Sequence, residues 1–405
     1  MAELFPAIAA VIMLMILSGL EIIFFKVFNR RWWQYRFVRI FSYTLPILGV
    51  VFIGIWMLGI YFFIKPLMFI AAALSALSLV LISALLLSLP VSGIINFIHD
   101  IWERRQKKRA EPAVDKTLEI NQKQISRRKF LNYAAVIAPT VALGAGVSGV
   151  GGSFTDIDVY KKSIFFDDLA DGLDGFKILQ ISDIHIGYYR HLEDVEEVIE
   201  AASKFSPDMI VATGDLSDRI ELYKSVLDIL GQLKTPYGVY ACLGNHEYFR
   251  GITHVRRAFD KSNVLLLKDN GISIPVGNAI IYLAGADDPM FMRGDISGFL
   301  QATITSAVKN APDGAFKLLL SHRPKGFNLA EKFGINLTLA GHTHGGQLGI
   351  YGQSAFELIS ENTYLWGLYE KGNRKLYTSS GVGHWFPFRL GCPAEAPIIE
   401  LRKAK

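Results

Sequence analysis

Cysteine is nearly absent from this sequence, which has 405 residues but only two cysteines, Cys242 and Cys392, and no CxxC pair. Two cysteines exclude a disulfide framework of the kind that holds small secreted domains together. A single Cys242–Cys392 bridge stays open for a domain that faces an oxidising compartment. The chain must therefore be held together mainly by apolar burial, for which its length is ample.

An excess of basic charge is missing from the second part of the chain. Residues 154–405 contain 26 Lys and Arg against 30 Asp and Glu, whereas residues 1–153 contain 16 against 7. The overall charge of +5 thus comes from the first part, and it gives no support to a nucleic-acid partner.

Charge is also scarce within three long apolar runs, at residues 4–25, 40–64 and 68–89. Each reaches the roughly 20 residues that a helix needs to cross a bilayer. Residues 1–98 are therefore predicted to form three transmembrane helices, and the lack of charge within them argues against a transporter. The basic loop at 26–39 and a basic linker at 99–129 are predicted to be cytoplasmic, which puts the N-terminus outside.

The segment after the linker allows two interpretations. Arg127 and Arg128 stand in SRRKFLN, followed by a moderately apolar stretch, so residues 130–152 form either a fourth transmembrane helix or a segment similar to a twin-arginine export signal. Both direct residues 154–405 out of the cytoplasm. The prediction is a multi-pass protein of the cell (inner) membrane with its C-terminal domain on the outer, periplasmic face. Cleavage between Leu143 and Gly152 stays open.

Residues 154–405 alternate between short apolar strands and amphipathic helices, which is typical of an α/β domain. Five of the strands end in polar residues, in the segments ISDIH, ATGDLSD, CLGNHE, LLLSH and LAGHTH. The carboxyl ends of strands form the ligand crevice in α/β sheets, so these tails are predicted to converge.

The polar tails are rich in metal-binding side chains: Asp183, His185, Asp215, Asn245, His322, His342 and His344. Mixed nitrogen and oxygen ligands suit Mn, Fe or Zn better than Ca or Mg. Seven ligands are more than one tetrahedral metal site can take, and they fit two divalent ions that share a bridging carboxylate. His246 also lies in one of these tails but is not counted among the seven ligands.

The motifs DxH, GDxxD, GNHE, a lone His and GHTHGG, in this order over 176–347, resemble the calcineurin-like metallophosphoesterase superfamily. The stretch from Gly367 to Glu395 is similar to its membrane-associated, exported subgroup. The resemblance implies a four-layer α/β/β/α sandwich with two mixed sheets over residues 154–405.

The resemblance also implies roles for the site residues. Asp183, His185 and His344 would hold a first metal, Asn245, His322 and His342 a second, and Asp215 would bridge both. A hydroxide bridging the two ions would attack phosphorus in a phosphomonoester or phosphodiester. His246 would act as catalytic acid or charge stabiliser beside the leaving oxygen. No cofactor beyond the two metals is expected.

Several neighbouring residues have open roles. Asp218 is expected to orient a ligand rather than bind metal, and Asp287 and Asp288 are expected to be turn residues. Arg323, Arg389 and Gln347 either contact substrate or are structural.

The substrate and the oligomeric state stay open. Attachment to a bilayer and the aromatic stretches at 290–292, 364–369 and 384–388 favour a lipid-linked phosphoester if those stretches line the crevice rather than the core. One alternative is hydrolysis of a lipid A precursor, UDP-diacylglucosamine, which needs the opposite orientation. Another is an inactive membrane sensor or scaffold that keeps the phosphoesterase fold.

Overall fold

The computed structural model describes residues 4–62, 64–109, 117–187, 189–290, 294–350, 352–360, 363–384 and 386–404. The chain divides into two compact units, Met1–Gly151 and Gly152–Lys405. Each unit is described by itself below.

The N-terminal unit is helical. Its helices are α1 (Leu4–Phe28), α2 (Arg30–Trp33), α3 (Arg36–Tyr61), α4 (Lys65–Arg109) and α5 (Thr117–Gly152). Four of them contain stretches long and apolar enough to cross a membrane: Ala7–Phe28, Arg36–Tyr61, Pro66–Trp102 and Ala135–Gly152. Much of the predicted linker at 99–129 is helical, since α4 continues to Arg109 and α5 begins at Thr117. The side chains of Arg127 and Arg128 lie outside the described residues.

Helices α1, α3 and α4 pack through small residues and interlocking aliphatic side chains. Leu14, Ile53 and Ile82 form one buried cluster. A Cβ atom on Gly49 would lie 3.0 Å from Leu14 Cδ1 and 3.1 Å from Ser78 Cβ, so this glycine permits the close approach of helices that is common in membrane bundles.

Within its described residues, the C-terminal unit contains six further α-helices and fourteen strands. The helices are α6 (Leu192–Ser203), α7 (Tyr223–Leu230), α8 (Asn245–Arg250), α9 (Ile252–Phe259), α10 (Ile296–Val308) and α11 (Ala330–Phe333). The strands are β1 (Lys161–Phe166), β2 (Lys177–Ile181), β3 (Met209–Ala212), β4 (Val239–Ala241), β5 (Val264–Leu266), β6 (Asn270–Val276), β7 (Ala279–Gly285), β8 (Phe316–Leu320), β9 (Leu337–Ala340), β10 (Gly349–Ile350), β11 (Gln353–Ser354), β12 (Gly367–Lys371), β13 (Arg374–Thr378) and β14 (Ile398–Lys403).

Twelve of these strands form two six-stranded mixed sheets. The first has the order β1-β14-β2-β3-β4-β5, and the second has the order β12-β13-β9-β8-β7-β6. Strands β2, β3, β4 and β5 are parallel neighbours, as are β7, β8, β9 and β13. The parallel strands at the centre of each sheet therefore present their carboxyl ends along one edge.

Three apolar cores give the unit its layers. Ile178 and Val211 of the first sheet meet Leu318 and Leu339 of the second in the core between the sheets. Helices α6, α7 and α9 cover the outer face of the first sheet, and α10 and α11 cover that of the second. The predicted four-layer α/β/β/α arrangement with two mixed sheets is confirmed.

Candidate metal centre

The seven predicted ligands all lie just beyond the ends of five central strands. Asp183 and His185 follow β2, Asp215 follows β3 and Asn245 follows β4 in the first sheet; His322 follows β8, and His342 and His344 follow β9, in the second. Five of these residues have positive φ angles: Asp183, His185, Asp215, His342 and His344. Such backbone is rare and costly for residues other than glycine, and it concentrates at functional sites.

The first group of donors consists of Asp183, His185 and His344, which offer ligand atoms within 4.8 Å of one another. His344 Nε2 is 3.6 Å from Asp183 Oδ1. The rings of His185 and His344 stack with their centroids 5.1 Å apart. All three side chains are buried, so their donor atoms share one enclosed space.

The second group consists of Asp215, His322 and His342, again with donor atoms within 4.8 Å. His322 Nε2 lies 3.3 Å from Asp215 Oδ2, and 3.1 Å from both Asn245 Oδ1 and His342 Nδ1. Asp215 Oδ2 is also 3.7 Å from His185 Nε2. Asp215 therefore stands between the two groups, and all seven predicted ligands meet in one site.

The donor set fits divalent metal ions. Neither buried ring nitrogen of His185 makes a well-aligned hydrogen bond to a described residue, although Nδ1 lies 3.3 Å from Asp218 Oδ2. The carboxylates of Asp183 and Asp215 are almost completely buried. Buried carboxylates and imidazole nitrogens that face one another are costly unless a cation or protons lie between them. Nitrogen and oxygen donors in this mixture suit Mn, Fe or Zn.

The charges within the site shift its pKa values in opposite directions. Burial opposes the protonation of His185 and His322, but nearby carboxylates outweigh it: Asp218 raises the pKa of His185 to about 9, and Asp215 raises that of His322 to about 10. For His342, burial and the charges of His322 and Arg323 lower the pKa to about 2.

His344 and Asp215 also show the effects of burial and of neighbouring charge. Burial lowers the pKa of His344 well below its usual range, and the charge on His185 adds to the effect. Burial opposes ionisation of Asp215, yet the charge on His322 holds its pKa well below the ordinary value. Asp215 is therefore ionised and able to bridge two cations.

The predicted catalytic residue His246 lies at the edge of the site, with 19% of its side chain exposed. Its Nδ1 is 2.5 Å from Asp218 Oδ1, and its backbone N–H donates to Asp215 Oδ1 at 2.9 Å. Asp218 Oδ2 also lies 3.3 Å from His185 Nδ1. Asp218 thus contacts a metal ligand and the catalytic candidate at once, as its expected orienting role requires.

Glu247, which the sequence analysis did not assign, fixes the backbone of the site. Its fully buried carboxylate accepts N–H donors from Asp215 and Leu216, both at 2.9 Å, and from Gly244 at 2.7 Å. The Tyr223 hydroxyl donates to it at 3.0 Å. Its place in GNHE, directly after two predicted site residues, was the available signal.

Asp287 and Asp288, which were expected to be turn residues, lie in the loop after β7, where both are buried and paired. Asp288 accepts Arg323 Nε at 2.8 Å and Arg323 Nη2 at 3.2 Å. Asp287 accepts the Tyr248 hydroxyl and lies 3.0 Å from Lys268 Nζ. Arg323 in turn places Nη1 3.1 Å from His342 Nε2, beside a predicted metal ligand.

Arg389 and Gln347 are bound to backbone rather than directed at a substrate. The Arg389 guanidinium is buried and donates to five carbonyl oxygens, of Ser380, Gly381, Gly383, Cys392 and Pro393. The Gly383 oxygen also lies 3.1 Å from His344 Nδ1. Gln347 donates to the Phe386 oxygen at 2.8 Å. Arg389 therefore holds the loop that orients His344.

The aromatic stretches are mainly packing residues. Trp366 is buried beneath the GHTHGG loop, where a Cβ atom on Gly345 would meet its Cβ at 3.2 Å, and Tyr364 and Tyr369 pack against the core outside the second sheet. His384 is buried beside the rings of Tyr189 and Phe154. Residues 291–293 and 385 lie outside the described residues. Cys242 and Cys392 are both free and buried.

The geometry agrees with the comparison to known protein families. Residues 176–346 match the family model of the calcineurin-like phosphoesterases. The chain is 30% identical over 293 residues to the metallophosphoesterase YkuE of Bacillus subtilis, an alignment that covers 69% of this chain and 99% of YkuE. The chain belongs to the calcineurin-like phosphoesterase family, and it is a hydrolase that acts on phosphoester bonds.

Two further relatives extend this similarity. The chain is 29% identical over 286 residues to the phosphodiesterase YaeI of Escherichia coli, covering 68% of this chain and 99% of YaeI. It is 27% identical over 287 residues to a transmembrane protein with a metallophosphoesterase domain from Danio rerio, covering 66% of this chain and 63% of that protein. The family uses a dinuclear metal site, and the two donor groups described above are its candidate ligands here.

Proposed function

We propose that the protein is a membrane-anchored dinuclear metallophosphoesterase that cleaves a phosphomonoester or phosphodiester, with a lipid-linked phosphoester as the preferred substrate class. The observation that carries this proposal is the meeting of two donor groups around Asp215, with His246 at the exposed edge. Lipid linkage is supported by the four apolar helices. It gains little from the aromatic stretches, since their described residues are mostly packing.

In this proposal Asp183, His185 and His344 would hold the first metal ion, Asn245, His322 and His342 would hold the second, and Asp215 would be shared between them. When bound, the two divalent ions polarise the phosphoryl group and make a nucleophilic water more acidic. The positive φ angles of the ligand residues and the Glu247 carboxylate fix the donors before metal arrives, which reduces the reorganisation that binding requires.

His246 acts on the leaving group. The Asp218 carboxylate 2.5 Å from Nδ1 orients the ring and leaves Nε2 as the proton donor to the departing oxygen. A positioned general acid contributes about 10²–10⁴ in rate. Since the side chain is partly exposed, a substrate oxygen can reach it from solvent.

We also propose the orientation given by the basic segments: the 26–39 loop in the cytoplasm and the C-terminal domain on the outer face of the inner membrane. The SRRKFLN segment in α5 would then act as a twin-arginine-like export signal or as the inner end of a fourth span. The charge distribution supports this orientation. A membrane-impermeant maleimide should label Lys371→Cys, an exposed site, in intact cells. Labelling only after the cells are opened would show that the C-terminal domain is cytoplasmic, which is the opposite orientation.

The catalytic proposal is tested with the full-length protein in detergent, loaded with Mn²⁺ and offered phospholipid, isoprenoid-phosphate and nucleotide esters. Turnover of a lipid-linked ester is expected to exceed that of the nucleotide esters. Asp215→Asn should lose both metal and turnover. His246→Ala should keep its metal and lose about 10²–10⁴ in rate, least for esters with a good leaving group. A wild-type protein that binds no metal and hydrolyses none of these esters would instead be a scaffold.

A further inference from the structure

A cavity of about 520 Å³ lies in the N-terminal unit, between the end of α1, helix α2 and the middle of α4. Its walls are largely apolar and include Phe24, Phe28, Ile94 and Phe97. A Cβ atom on Gly93 would lie 2.9 Å from Phe28 Cβ, so this glycine brings α4 against α1 beside the cavity. None of these residues takes part in the phosphoesterase site.

The cavity lies at the end of the first apolar span, where this proposal places the membrane surface. The span Ala7–Phe28 of α1 ends at the cavity, and the basic loop at 26–39 begins there. Asn29, the residue between α1 and α2, donates its Nδ2–H to the Leu89 oxygen of α4 at 3.0 Å. The 25 residues from Lys65 to Leu89 rise about 37 Å at 1.5 Å per residue, which is enough to cross a bilayer, and the apolar stretch of α4 continues to Trp102.

Two buried or nearly buried amide side chains, Asn29 and Asn96, also line the cavity. Asn29 is buried and accepts Asn96 Nδ2 on its Oδ1 at 3.0 Å. Such amide pairs are costly to bury between membrane helices and mark fixed, specific contacts. They hold the α1–α2 corner on α4 and give the cavity a defined shape.

Two arginines line the same cavity. Arg31 forms an ion pair with Asp100, and its Nη1 lies 2.7 Å from His99 Nδ1. Arg30 donates Nε–H to the Lys26 oxygen at 3.2 Å and has no carboxylate partner among the described side chains. Arg30 therefore provides an uncompensated positive charge next to apolar walls.

We propose that this cavity binds one anionic glycerophospholipid, with its phosphate at Arg30 and its acyl chains along Phe24, Phe28, Ile94 and Phe97. A cation at the membrane surface attracts an anionic headgroup with about 1 kcal/mol per basic residue, and the apolar walls favour chains over a free phosphate ion. The cavity shares no residue with the phosphoesterase centre, and the proposed ligand is a bound lipid rather than the substrate.

The test is native mass spectrometry of the full-length protein, delipidated and then titrated with phosphatidylglycerol or with phosphatidylcholine of the same chain length. One phosphatidylglycerol should bind more tightly than phosphatidylcholine. Arg30→Gln should weaken phosphatidylglycerol binding about fivefold, while Arg39→Gln, an identical charge change in the same basic segment but outside the cavity, should not.

A second pair of variants tests the apolar walls. Ile94→Trp should fill the cavity and displace the lipid, whereas Ile98→Trp, also on the exposed face of α4 but not lining the cavity, should leave binding unchanged. Glycerol 3-phosphate, which lacks acyl chains, should not compete. Equal binding of both lipids, equal losses in Arg30→Gln and Arg39→Gln, or full retention in Ile94→Trp would each overturn the proposal. Circular dichroism confirms that each variant is folded.

Discussion

The two donor groups of the metal centre differ in the charge that lies behind them. In the first group, His185 Nδ1 is 3.3 Å from the Asp218 carboxylate. In the second, His342 Nε2 is 3.1 Å from the Arg323 guanidinium. His185 in the first group therefore contacts an anion, whereas His342 in the second contacts a cation. Both groups otherwise consist of imidazoles and oxygen donors around the same Asp215.

This difference predicts unequal affinities for metal. A carboxylate behind a histidine ligand raises its basicity and attracts a cation, and such neighbours strengthen metal binding. A guanidinium behind a ligand does the reverse, which agrees with the lowered pKa of His342, caused by burial, His322 and Arg323. We expect the first group to bind its metal ion more tightly than the second.

The largest expected change in metal affinity comes from removing the negative charge of Asp218. Asp218→Asn should weaken binding at the first group about 10–100-fold, the usual cost of losing such a neighbour. Metal content after dialysis against a graded chelator measures this change. Asp228→Asn, which removes an exposed carboxylate paired with Lys224, is the matched control. Unchanged affinity in Asp218→Asn would remove the basis for distinguishing the two groups.

A smaller effect of opposite sign is expected at Arg323. Arg323→Met should tighten binding at the second group by about fivefold, on the order of 1 kcal/mol for one charge in a partly solvated site. Arg323→Lys keeps the charge and should keep the affinity. Arg323→Met also leaves the Asp288 carboxylate without its partner. Comparing Arg323→Met with the same substitution in an Asp288→Asn background separates the effect of the lost guanidinium from that of the unpaired carboxylate. Weaker metal binding in that double variant would contradict the assigned role of Arg323.

The sequence predicted the strands that carry the site better than the strands at the sheet edges. Strands β2, β3, β4, β8 and β9 are mainly apolar and are followed by Asp, Asn or His, which marks them as buried strands with a functional end. Strands β1 and β5 lie at the edges of the first sheet and β12 at an edge of the second. Their apolar runs are shorter or mixed with charge, and only tertiary pairing determines them.

The order of the motifs predicted the residues of the two donor groups. It did not predict which charged residues contact those ligands. Arg323 follows His322 directly, yet its pairing with Asp288 joins loops 35 residues apart. Arg389 contacts the loop behind His344 through backbone carbonyls, which leave no trace in side-chain chemistry. The charged residue that contacts each ligand depends on which loops pack together in the fold. Hydrophobic periodicity in the sequence does not predict that packing.

The last test counts protons. In the metal-free protein the pKa of His185 is raised to about 9 and that of His322 to about 10, against burial, by Asp218 and Asp215 respectively. Both values exceed 7, so both rings are protonated at pH 7 and must lose a proton to bind metal. His342 and His344 have lowered pKa values and have none to lose.

Loading two ions at pH 7 should therefore release one proton each from His185 and His322, in addition to any proton that metal-bound water releases, and the histidine contribution should fall as the pH is raised through 9 to 10. Calorimetry in buffers of different ionisation enthalpy measures the release. In Asp218→Asn the pKa of His185 loses its main support, so the release should be about one proton smaller than in the wild type, while Asp228→Asn should match the wild type. An unchanged release in Asp218→Asn would show that this carboxylate does not determine the protonation of His185, and the two groups would then differ in position and not in charge.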